Sequence, residues 1–307
     1  MGLHWEKLGH LYANPGLHPK LASHAANPLA VQIEGDVYRV FFSARDADNR
    51  SSVGAVDIDI VARRVVREHA EPALVHGPEG SYFGDGISIG NCYGAGGGRF
   101  ILFMGWRNPP GGHWYGEVGR IVVADDLTLS VEDPDTPFMA LDDTDPVSLS
   151  YPWVMEDGAG GHAMWYGSTV TWDSGAGEMV HVLNAANSPD GHAWRRTGLA
   201  VPFQLGVAQA FSKPAVLRNG DGSLDMWFSY RGTRERPYRI GRAVSGDGLA
   251  WRLVLDETGI DVSPDPDAWD SDMIEYPHVF EHAGARYMLY NGNGFGKTGF
   301  GLAVLRD

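Results

Sequence analysis

A short apolar strand opening on a proline returns along this chain at a near-constant interval, and such an interval points to a fold built from repeated units. The copies are Asn27-Pro28-Leu29-Ala30-Val31, Tyr151-Pro152-Trp153-Val154, Lys213-Pro214-Ala215-Val216 and Tyr276-Pro277-His278-Val279. Their prolines lie 124, 62 and 63 residues apart. Since 124 spans two intervals of 62, a further copy belongs near residue 90, where Ser88-Ile89-Gly90-Asn91-Cys92 carries Gly90 in the proline's place. That makes five copies.

Each copy continues alike. After a turn comes a strand alternating aromatic and aliphatic residues, such as Val37 to Phe42, Phe100 to Met104, Ala163 to Tyr166, Leu224 to Phe228 and Tyr287 to Tyr290. A third strand carries small residues, as in Ile240-Gly241-Arg242-Ala243 and Phe300-Gly301-Leu302-Ala303. Two copies then show Ser-x-Asp-Gly-x-x-Trp, at Ser188 to Trp194 and Ser245 to Trp251. Asp-Gly sets a tight turn, and the Trp opens a fourth, outer strand. Four short strands repeated radially make a propeller blade. The fifth copy stops at Asp307 after its third strand, and His4-Trp5-Glu6-Lys7-Leu8-Gly9 parallels Ala193-Trp194-Arg195-Arg196-Thr197-Gly198. The expectation is an all-β, five-bladed β-propeller with four-stranded blades, its N-terminal strand completing blade five and removing a sheet edge. No linker divides residues 1–307, which read as one domain.

The charge narrows the partners. With 39 acidic against 24 basic residues the net charge is −15, a field that repels phosphate backbones and argues against DNA or RNA. No run approaches the roughly 18 apolar residues of a membrane span. The start, Met1 to Lys7, has no basic region leading into an apolar one, so a cytoplasmic protein is expected. The single cysteine, Cys92, excludes an internal disulfide and any Cys-based zinc site, and reads as a small core residue. The 12 histidines show neither His-x-x-x-His nor His-Glu-x-x-His spacing, so no metal site or cofactor is expected, although an axial channel has room for a calcium or a water.

Several segments carry a family resemblance: Ser23-His24-Ala25, Phe42-Ser43-Ala44-Arg45-Asp46 with Asn49-Arg50-Ser51, Tyr230-Arg231-Gly232, Tyr238-Arg239-Ile240-Gly241, and Trp269-Asp270-Ser271-Asp272-Met273 running on to Tyr290 through Gly301. With these the chain resembles the five-bladed propeller glycosidases, namely the arabinanase/xylosidase, invertase/levansucrase and mannoside phosphorylase families. It is most similar to a glycosidase-like subgroup associated with bacterial polysaccharide or natural-product gene sets. The resemblance implies carboxylates at the mouths of the innermost strands. Such families carry Asp before the proline of the first blade, where this chain has Asn27. Their general acid, a Glu two residues before the proline of the third blade, is here Ser150. A Glu-x-Pro does occur in the fifth blade, as Glu275-Tyr276-Pro277.

At the expected inner-strand mouths stand His24 and Asn27, Asp85, Ser148 and Ser150, Gln209 and Ser212, and Asp272 and Glu275. Three carboxylates and a histidine on one funnel have the composition of acid/base catalysis, so Glu275, Asp85, Asp272 and His24 are the catalytic candidates. Glu275 precedes a buried strand, where an unpaired charge is costly unless it faces the cavity. Asp85 equally suits an ordinary Asp-Gly turn, and His24 equally suits a loop histidine bonded to backbone. Asn27, Arg45, Asp46, Ser150, Arg231, Tyr276, Asn291 and Asn293 are the candidates for substrate binding. The arginines would clamp the anionic group of an acidic sugar or sugar phosphate, while Arg45 and Asp46 could equally bridge blades. The expected activity is glycosidase-like, on a saccharide or other small molecule in the central funnel. Two alternatives are non-hydrolytic transfer or cyclisation, with His24 and Asp85 as acid and base, and a catalytically silent carbohydrate-binding propeller.

Overall fold

The structure, a computed structural model, describes residues 3–175 and 177–306; Met1, Gly2 and Asp307 of the terminal segments above lie outside the described residues. Strand β1 (His4–Tyr12) opens the chain. Four antiparallel groups of four follow. They are β2 (Ser23–Glu34), β3 (Val37–Arg45), β4 (Ser51–Asp59) and β5 (Arg64–Glu68); β6 (Gly86–Ala95), β7 (Gly98–Arg107), β8 (Tyr115–Val123) and β9 (Leu129–Val131); β10 (Leu149–Glu156), β11 (His162–Thr171), β12 (Val180–Ser188) and β13 (Arg195–Leu199); and β14 (Ala210–Arg218), β15 (Leu224–Arg231), β16 (Arg239–Ser245) and β17 (Arg252–Leu253). The last group is β18 (Glu275–His282), β19 (Ala285–Asn291) and β20 (Phe300–Arg306), and β1 is its fourth strand, paired antiparallel with β20 from His4↔Arg306 to Tyr12↔Phe300. The first strand of the chain thus covers the edge of the last. Trp5 is buried there, edge-on to Trp227 at 5.4 Å. No helix among the described residues is long and apolar enough to cross a membrane.

The Ser-x-Asp-Gly turns have a clear cause. Asp190 Oδ1 accepts the amides of His192 and Ala193, and Asp247 Oδ1 those of Leu249 and Ala250. Ser188 and Ser245 each accept the amide of the turn glycine. The turn is therefore closed by its own side chains before the outer strand begins.

The first strands of the groups, β2, β6, β10, β14 and β18, pack in succession, and β18 packs back on β2. Each carries a bulge at the repeated motif, where the ladder skips: Ala26/Leu29, Ile89/Cys92, Ser150/Trp153, Ser212/Ala215 and Glu275/His278. The residue before each proline has positive φ: Asn27 (53°), Tyr151 (39°), Lys213 (45°) and Tyr276 (52°). Proline disfavours right-handed helical backbone in the residue before it, and a left-handed residue other than glycine costs about 1–2 kcal/mol. Four such residues at one level of a ring are strain kept where side chains must be re-aimed. Gly90 replaces proline in the second copy for want of room, since a Cβ there would lie 2.2 Å from the Pro152 carbonyl oxygen.

Side chains sew the groups together. Asn91 behaves as a strand would, donating to Val154 O at 2.7 Å and accepting Val154 N at 2.8 Å. Ser51 bonds both N and O of Ile87, and Ser229 accepts the Tyr276 amide. Asn291 accepts the Asn27 amide and donates to Ala25 O, which joins the last group to the first.

Candidate active site

The bulged ends of the inner strands open on a cavity of about 380 Å³. Asn27, Ser88, Tyr151, Ser212 and Tyr276 reach it from the inner strands. Ser43, Arg45, Met104, Trp106 and Arg231 come from the ends of second strands, Ser51 and His181 from the starts of third strands, and Tyr238 from just before β16. Asn49, Asn108, Trp114 and Phe295 close the wall from the loops. At the rim Trp114 meets Trp172 edge-on at 4.7 Å, and His113 stacks on Trp172 at 4.8 Å. Phe295, held at a φ of 59°, packs against Tyr238.

Five residues singled out from the sequence line this cavity: Asn27, Arg45, Ser212, Arg231 and Tyr276. Arg231 pairs with the buried Glu178, Nε to Oε2 at 2.8 Å, and its guanidinium lies 4.7 Å from the centre of the Tyr238 ring. Arg45 donates to the Asn49 amide oxygen at 3.0 Å and has no carboxylate partner among the described residues. Asn27 Oδ1 is buried without a partner.

Glu275 lies immediately before Tyr276 and is fully buried, with no hydrogen-bond partner for either carboxyl oxygen. Burial pushes its pKa well above the ordinary carboxylate range, and the attraction of Arg45 and Arg231 only partly opposes this. The group is therefore held protonated well above the usual pH. Ser150, also buried, has its Oγ 2.7 Å from His181 Nε2, and His181 Nδ1 is 2.6 Å from Thr169 Oγ1. Burial lowers the His181 pKa to about 4, so the imidazole facing the cavity is neutral at pH 7. Sequence reasoning missed His181; its one signal was a polar residue between Val180 and Val182 in an otherwise apolar run.

The remaining candidates do not line the cavity, each for a local reason. Asp85 accepts the Asn108 amide at 2.7 Å and so anchors the loop after β7. The Asp272 side chain is exposed, and its carbonyl accepts from Arg239. The His24 ring is tied to Ser23 Oγ at 2.9 Å; burial, with Arg45 and Lys297 nearby, lowers its pKa to about 4. Asp46 accepts from Arg50 and Lys20 and closes the turn between β3 and β4. Asn291 is spent on the seam already described, and Asn293 accepts the amides of Asp272 and Met273. The expected convergence of Glu275, Asp85, Asp272 and His24 on one funnel is thus replaced by a wall of aromatics, amides and two arginines. Among the described residues no Asp or Glu lines it.

Lys213 bears on the axial ion. Its buried amino group, whose pKa burial lowers to about 7, donates to Ile89 O at 3.2 Å and Gly90 O at 3.3 Å, reaching from β14 to β6, strands that share no ladder. A calcium at these carbonyls would have to displace Lys213 and would meet no carboxylate, so the residues present do not fit one there. Nor do three His, Cys, Asp or Glu gather as ligands among the described residues.

Solved structures with this fold are glycoside hydrolase-like propeller proteins. A glycosyl hydrolase from Bacteroides ovatus aligns with a TM-score of 0.71 at 12% identity, covering 99% of this chain and 94% of that one. An endo-arabinase from Bacteroides thetaiotaomicron aligns at 0.64 and 14% identity, covering 94% and 96%. A structure of the GH130 family of mannoside phosphorylases, described as containing glycoside hydrolases that target beta-1,2 mannosidic linkages in Candida mannan, aligns at 0.69 and 12%, covering 99% and 94%. These likenesses show a shared fold; the chain belongs to the family of the uncharacterized proteins MT1551 and Rv1502 of Mycobacterium tuberculosis, each 44% identical over 306 residues and 99% of both chains. No family model matches it.

Proposed function

We propose that this chain is a single-domain, five-bladed propeller enzyme that acts on a saccharide in the axial cavity, with Glu275 as its acid. The observation that carries the reading is Glu275 itself, a buried carboxyl with neither oxygen partnered, next in the chain to cavity-lining Tyr276. Buried polar groups are rarely left unpaired, and those that are tend to be functional. Glu275 does not itself line the cavity, so the bulged strand end must shift for a glycosidic oxygen to supply the missing partner. Burial raises the pKa of this carboxyl, so it keeps its proton to higher pH than an ordinary Glu, as a general acid requires. Trp106, Trp114, Trp172 and Phe295 offer flat apolar faces for sugar rings, and Asn27, Asn49 and Asn108 offer amides for hydroxyls. The similarity in fold to glycoside hydrolases points the same way.

One observation favours a second reading, a propeller that binds saccharide without cleaving it. The usual hydrolase pair needs a second carboxylate, and none lines the cavity among the described residues. A panel of aryl glycosides and oligosaccharides, assayed for cleavage and for binding on the same protein, separates the two. Cleavage that falls with Glu275→Gln supports the enzyme; saccharide binding with no cleavage supports the binder.

A further inference from the structure

We propose that the saccharide carries an anionic group, a carboxylate or a phosphate ester, and that Arg45 binds it. This rests on the reading that the cavity takes a saccharide. The protein carries a net charge of −15, so an anion meets a repulsive field over most of its surface. The cavity inverts that sign. It contains two guanidiniums and, among the described residues, no lining carboxylate. Arg231 is already matched by buried Glu178. Arg45 is not: its side-chain partner is the neutral amide of Asn49. The titratable neighbours do not neutralise it either. His24 is uncharged at pH 7, Lys297 adds positive charge on the same side, and buried Glu275 favours its neutral form. Arg45 therefore leaves a partly desolvated fork of N–H donors facing the cavity, the geometry that pairs with two oxygens of one oxyanion. Neutral sugars would leave that fork and its charge without a counterpart.

The test titrates the full-length protein with D-glucuronate, D-glucose 6-phosphate, D-glucose and inorganic phosphate, at low and high salt, alongside Arg45→Gln. Arg45 makes one side-chain bond, so the variant is expected to fold, and its melting curve is recorded with the binding. At least one anionic sugar should bind about tenfold tighter than glucose, the scale of one charge-assisted hydrogen bond. That preference should weaken in high salt and vanish in Arg45→Gln. The tighter of glucuronate and glucose 6-phosphate names the source of the anion. Glucose binding as well as both anionic sugars, an anion preference that survives in Arg45→Gln, or no binding of any probe would overturn the proposal. Inorganic phosphate matching glucose 6-phosphate would overturn the saccharide itself. An anion preference without any glycoside cleavage would leave this inference standing and remove the enzymatic one.

Discussion

Glu275 and Asn27 stand one position apart in the repeated motif, Glu275 two residues before its proline and Asn27 one before. Both sit at the level where the inner strands skip register, and both carry oxygens with no partner. For Glu275 the consequence reaches stability. Its folded pKa is raised by burial, so the folded state holds its proton where the unfolded chain has released it. Above the ordinary Glu range the unfolded state therefore binds fewer protons than the folded one, and stability contributed by this group falls as pH rises toward the folded pKa. Glu275→Gln has no proton to lose. Its melting temperature relative to the parent should be near parity at pH 4 to 5 and move upward by pH 8. A difference that stays flat, or falls, across this range would mean that the carboxyl is not held neutral. From sequence, Glu275 was visible as a charge before a buried strand, with Asp85 or Asp272 as its carboxylate partner and Asp85 equally suited to a turn. What separates them is which atoms the local turn consumes, and Asp85 is consumed by one backbone amide of Asn108.

At the scale of strands, proline spacing made the inner strand of each repeat legible, together with the aromatic strand beside it. The bulges were not legible, because a bulge depends on the partner strand's register rather than on any one residue. They explain why Asn27, Tyr151 and Tyr276, and not the residues after their prolines, turn toward the cavity. The seams between groups were equally hidden. Asn91 reads in sequence as one more polar residue beside Cys92, yet it bonds both backbone groups of Val154 across the seam from β6 to β10. Asn91→Ala would leave that N–H and C=O buried and unpaired, at about 1–3 kcal/mol each. Chemical denaturation should show a loss of roughly 2–4 kcal/mol, with the two-bond seam as its cause. A loss under about 0.5 kcal/mol in Asn91→Ala, the range of an ordinary surface substitution, would mean the seam bears no strain.

The whole molecule is a ring of strand groups closed by its own first strand, and that closure was legible because Trp5 matches Trp194 in its surroundings. Deleting residues 1–9 would uncover the β20 edge and remove buried Trp5 from its contact with Trp227. Losing a buried Trp alone costs about 3–5 kcal/mol, and a free edge invites strand-to-strand association. The truncated protein should melt well below the parent and aggregate; equal melting would mean that β1 does not hold the ring. The charge pattern also belongs to this scale, since a strongly acidic body surrounds a cavity lined by arginines rather than carboxylates. Composition alone foretold the acidic body. The reversal inside depended on Asp85 and Asp272 being drawn off to loops, which no spacing rule records. The most direct test is the pH dependence of glycoside cleavage by the parent and by Glu275→Gln, using whichever panel substrate the parent turns over. With Glu275 as the acid, the parent's rate falls as pH rises through the raised pKa of that group, and Glu275→Gln is slower by about 10²-fold or more and loses that alkaline limb. A Glu275→Gln variant with the parent's rate and the same pH profile would contradict the account.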